Sequence, residues 1–131
     1  MNCNLCSINV LQRFCNPPSL LVLSQIPRLE ETYPRYRWHA GVLYGRDSRL
    51  AQLVLGGLRA HEDLVVGDNQ PYSVSDATDY TIVAHGERRG LAHVELEVRQ
   101  DLLASEADID AWVERLADVL GEMVPRVCPS V

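Results

Sequence analysis

The chain has no lysine: all 12 of its basic residues are arginine. This excludes a lysine nucleophile or a Schiff base. Positive charge is scarce where it would matter for a polyanion, because residues 61 to 131 carry 5 Arg against 15 Asp or Glu, whereas residues 1 to 60 carry 7 Arg against 3. A duplex-binding protein needs a cationic footprint to release counterions, so a net charge of -6 argues against nucleic acid as a partner. The stretch "YPRYRWH" interleaves aromatic rings with Arg in the manner of a base-stacking surface, but the acidic remainder outweighs it.

Long apolar runs are also missing. "LLVL" and "LVLGGL" fall far short of the roughly 20 residues that span a bilayer, so no membrane partner is expected. The amino terminus lacks the cationic start and long apolar core of a secretory leader, and its first cation is Arg13, which gives an expectation of a cytoplasmic protein. No phosphate-cradling glycine loop, serine nucleophile elbow or His-Glu-x-x-His helix is present. Cys3, Cys6, Cys15 and Cys128 are the only cysteines. "CNLC" has the gap of a zinc or redox pair but neither a second pair nor a preceding strand, and incidental placement is the stronger reading.

What is present is a soluble-type composition, 47% hydrophobic and 23% charged, over 131 residues, enough for one domain with a real core. Residues 1 to 19 lack periodicity and end at "NPPS", which predicts a poorly ordered lead-in before a single folded unit over 20 to 131. Four strands are expected, at "LLVL", "WHAGVLY", "DLVVGD" and 93 to 101. Helices are expected from an N-cap at Asp47 to about Ala60, from Ala77 to Arg89 with Gly90 ending it left-handed, and from Ser105 onward until Pro125 stops it. Gly56 and Gly57 weaken the first helix unless they permit close packing. In the last helix Ile109, Trp112, Val113, Leu116, Leu120 and Met123 form an apolar stripe. Strands separated by helices define an α/β fold with a largely parallel or mixed sheet.

The fourth strand carries the strongest polar signal. In "HVELEVRQD" the ionisable residues His93, Glu95, Glu97, Arg99 and Asp101 alternate with Val94, Leu96 and Val98, so one face is core and the other is charged. That face is either solvated, as charged stripes usually are, or the wall of a cleft, since ligands in open α/β sheets bind beyond the carboxyl ends of strands. In a cleft, Glu97 is placed as a general base and Arg99 as a carboxylate fork. "GDNQPYS" offers Asn69 and Tyr72 either as a plain turn or as a substrate-contact loop. His85 is either a proton carrier or an exposed helical residue, and His39 beside Trp38 is a packed strand-end side chain.

Taken in order, "RWHAGVLYGRD", "GDNQPYS", "DYTI" followed by His85, and "GLAHVELEVRQDL" resemble the carboxy-terminal part of the N-formylglutamate amidohydrolase family over roughly residues 37 to 123. The resemblance implies a three-layer α/β/α, zinc-carboxypeptidase-like fold. It implies zinc-dependent hydrolysis of N-formyl-L-glutamate, or a related N-acyl dicarboxylic amino acid, to formate and the free amino acid in histidine breakdown. Glu97 becomes the general base, and Asn69, Tyr72, Arg99 and His85 become candidates for holding the substrate. The family's metal-binding amino-terminal half has no counterpart here, and "VLSQIP" places Leu23 where the family carries a metal-ligating His. No zinc ligand is therefore assigned in this chain. The expectation is a family member truncated at its amino terminus that is inactive alone, self-associates, or works with a separately encoded first half. The rival is a non-catalytic remnant that binds small dicarboxylates or a protein surface.

Overall fold

A computed structural model describes residues 19 to 26 and 37 to 127 in full and residues 8 to 12 by their backbone. Strand β1, Ile8–Gln12, forms within the expected lead-in, whose last residue, Ser19, begins the next strand; its other residues lie outside those described, as do all four cysteines. Strand β2, Ser19–Ile26, is longer than its apolar stretch because strand pairing on its inner side continues to Ile26. Strand β3 is Ala40–Leu43, helix α1 Arg49–Arg59, strand β4 Val66–Asp68, strand β5 His93–Arg99 and helix α2 Glu106–Val127. The mixed sheet has the order β1-β2-β5-β3-β4. β5 pairs parallel with β2 and antiparallel with β3, while β1 and β4 lie at the edges.

Both long helices cover one face of the sheet. Leu21, Ala40, Val42, Val94, Leu96 and Val98 meet Leu50, Val54 and Leu58 of α1 and Trp112, Leu116, Val119 and Met123 of α2 in the main core. Gly57 lets the two helices approach, since a Cβ there would lie 2.8 Å from Val119 Cγ1. The other face carries a smaller cluster of Leu20, Val22, Leu43, Val74, Ile82 and Val83. Its cover is not a long helix. The segment before Tyr80 turns instead around the Asp79 carboxylate, which accepts from Ser75 N at 2.7 Å and Thr78 Oγ1 at 2.6 Å, and such side-chain bonds compete with helix formation. Only a widened π turn, Ile82–Gly86, and a tight 3₁₀ turn, Glu87–Arg89, follow, ended as expected by Gly90 at φ 64°.

The helix ends differ in detail from expectation. Asp47 lies one residue outside the flanking Ser48, yet its carboxylate still accepts the Arg49 amide at 3.1 Å. Ser105 and Asp108 form the reciprocal cap at the start of α2, with bonds of 3.1 and 3.2 Å. Pro125 lies inside α2 and does not stop it: near the end of a helix the missing N–H costs one hydrogen bond, and the helix runs on to Val127. Among the described residues, no helix is long and apolar enough to cross a membrane.

Candidate functional site

The charged stripe of β5 is not solvated. His93 is 1%, Glu95 8% and Glu97 2% exposed, so the wet reading of this face fails. Burial follows from strand order: β5 is central, and its register sets Glu95 between Val22 and Leu43, and Glu97 between Ser24 and Gly41. The apolar flanks and the Val74–Ile82–Val83 cover shield the face that alternation alone would leave open.

Around Glu97 the neighbours divide its two oxygens. Oε1 accepts hydrogen bonds from Ser24 Oγ at 3.2 Å and from the Tyr72 hydroxyl. Oε2 is buried with no hydrogen-bond partner among the described residues. Burial raises the Glu97 pKa, the donors Tyr72 and Ser24 oppose that rise, and Asp79 adds to it. Glu95 is pushed up to about 7, first by burial and then by Asp79 and Glu97. Tyr72 is 44% exposed as a residue while its hydroxyl bonds to Glu97; burial, then that bond, raises its pKa.

Gly41 is why the Tyr72 loop can reach Glu97. A Cβ at Gly41 would lie 2.7 Å from the Gln70 carbonyl oxygen, so only glycine lets the Gln70–Pro71–Tyr72 backbone lie on this strand. Asn69 sits at φ 51°, and its Oδ1 accepts the Tyr44 amide at 2.9 Å, which pins the start of the same loop.

Of the residues singled out from sequence, Glu97 and Tyr72 are brought together. Asn69 supports the loop and lines a neighbouring open cavity of about 410 Å³ with Arg46, Ser75 and Asp76. Arg99 turns to Asp101 at 2.6 Å and to the Trp38 carbonyl at 3.4 Å, so its fork is engaged on its own strand end. His85 is exposed and lies edge-on to Tyr80 at 6.0 Å between ring centroids, whereas Glu97 is buried. Ser24, Gly41, Asp79 and Glu95 were not anticipated as site residues. Glu95 alone had a sequence signal, its place in the alternating stripe; the others are joined to Glu97 only by strand register and packing.

The donor set does not fit zinc. Among the described residues, no group of three or more His, Cys, Asp or Glu is arranged to hold a metal ion. Leu23 packs against the α1 and α2 core, away from Glu97. His93 is also on the charged face but at the far end of β5, with Nδ1 2.7 Å from the Leu91 carbonyl and Nε2 3.7 Å from Glu87.

Replacing Tyr72 with Phe should lower stability by about 1 kcal/mol near pH 8 and by less near pH 4, read by urea unfolding, because the lost bond serves the ionised carboxylate. Equal losses at both pH values would mean that the ring's packing matters and the charge does not.

These features define an α/β domain with a buried carboxylate on its central strand, held by a hydroxyl from a tyrosine loop. The N-formylglutamate amidohydrolase family model matches residues 22–104, and the chain belongs to that family. The solved structure of gene product Atu2144 from Agrobacterium tumefaciens is similar at a TM-score of 0.72 and 28% identity, covering 86% of this chain and 44% of that one. The chain thus spans less than half the length of that protein. No curated protein matches it. β1 lies outside the family-matched residues, although it completes their sheet.

Proposed function

We propose that this chain is the base-bearing part of an enzyme that hydrolyses N-formyl-L-glutamate, or a closely related N-acyl dicarboxylic amino acid, in the cytoplasmic breakdown of histidine. The observation that carries this reading is the division of labour on Glu97: Oε1 is held by two donors, while the buried Oε2 has no hydrogen-bond partner among the described residues. A carboxylate so oriented, with its pKa raised by burial, is suited to take a proton from water as the water oxygen bonds to the formyl carbon. The same proton then passes to the leaving nitrogen as the C–N bond breaks, releasing formate and the free amine. Tyr72 and Ser24 position the base.

Zinc, which the family resemblance implies, is in this reading held by residues other than those described. The three-layer architecture is likewise a property of the longer fold. The chain alone is accordingly inactive.

The test is formate release from N-formyl-L-glutamate by the purified chain with added Zn²⁺, beside Glu97→Gln. The expected result is no release above the variant. Release that disappears in Glu97→Gln would overturn the inactivity of the lone chain while supporting the base.

A further inference from the structure

Helix α2 has more apolar surface than its own sheet covers. Its stripe is buried at Trp112, Leu116 and Met123 as expected, but Ile109 is 44% and Val113 58% exposed. These two sit one turn apart and, with Trp112 and Leu116, form one wall of a groove of about 310 Å³; Leu23, Val98 and Leu103 are on the opposite side. Ser24 and Gln25 of β2 form its lip. At that lip the strand's outer edge is also incomplete. β1 pairs with β2 only from Ser19 to Leu23, so among the described residues Ser24 to Ile26 have no strand partner on that side.

An apolar groove continuous with an open strand edge is the surface left where a sheet and its covering layer both stop short. This chain covers 44% of the similar Agrobacterium tumefaciens protein, so more than half of that protein lies outside the matched region. We propose that the groove formed by Leu23, Val98, Leu103, Ile109, Trp112 and Val113 is the seat of that remaining part of the family fold. The occupant is an apolar segment that adds to the β2 edge beyond Leu23 and covers Ile109 and Val113. The groove lies on the helix face of the sheet and Glu97 on the other, but the open β2 edge at Ser24, whose hydroxyl donates to Glu97, borders both. This inference rests on the functional reading above, but it is a binding claim and can fail separately.

The experiment co-expresses the tagged chain with the portion of the Agrobacterium tumefaciens protein that lies outside the matched region. Complex formation is measured by size-exclusion light scattering, and the soluble yield of the added portion reads the same contact if that portion does not fold alone. The expected result is a one-to-one complex that Val113→Asp weakens at least tenfold, while that exposed substitution leaves the chain's own thermal unfolding unchanged. No complex and no gain in soluble yield, or a complex indifferent to Val113→Asp, would overturn the proposal. So would a dimer of the chain alone that Val113→Asp splits, since the occupant would then be a second copy. A Val113-dependent complex that releases no formate would leave this surface standing and remove the hydrolase reading. Formate release that ignores Val113→Asp would do the reverse.

Discussion

Urea unfolding of the chain should give a stability on the order of 3 kcal/mol lower near pH 8 than near pH 5, and Glu95→Gln should remove most of that difference. Glu95 is buried between Val22 and Leu43, beside Asp79 and Glu97, and these neighbours raise its folded pKa to about 7. A raised folded pKa means that the native state binds the proton more tightly than the unfolded chain. Its stabilisation is full below the unfolded value of 4.5 and is lost as pH rises toward about 7. Glu97 contributes in the same direction, because its pKa is also raised. Asp47, Asp63, Asp76 and Glu87 have lowered values and act at more acidic pH, outside this window. A flat profile between these pH values would mean that the Glu95 carboxyl reaches water, contrary to its 8% exposure.

Gly41→Ala should cost about 1–3 kcal/mol, the usual range for forcing a methyl into filled space. It should also detach Tyr72 from Glu97. The added carbon meets a backbone oxygen, that of Gln70 at 2.7 Å, and a backbone cannot rotate aside as a flexible side chain can. The 69 to 72 loop must lift, and the hydroxyl that holds Glu97 Oε1 lifts with it. Combining Gly41→Ala with Tyr72→Phe tests the coupling. If the loop is already detached, the second change adds almost nothing, and full additivity of the two losses would show that the methyl is absorbed without moving Tyr72.

These outcomes depend on features of different visibility in the sequence. The period-two alternation of residues 93 to 99 marked β5, and the spacing in α1 and α2 marked both helices, because burying one face of an element leaves a periodic trace. The segment after β4 misled, because its Ser, Asp and Thr side chains bind the local backbone and one another and displace a regular helix with turns. Residues Ile8–Gln12 carried no periodic signal and still pair into the sheet, since an edge strand needs backbone partners more than a pattern.

The charged stripe shows the boundary most clearly. Its sequence by itself determined that β5 has one apolar and one ionisable face, that no lysine chemistry is available, and, through linked motifs, which family the chain belongs to. Alternation cannot tell whether a charged face meets water or protein, because it records only which side chains share a face. The tertiary structure decided that: it placed β5 between β2 and β3, set Ser24 and Gly41 on either side of Glu97, and folded Tyr72 over it. Contacts between residues tens of positions apart are fixed by sheet order and close packing, and a single sequence carries no local signal for either.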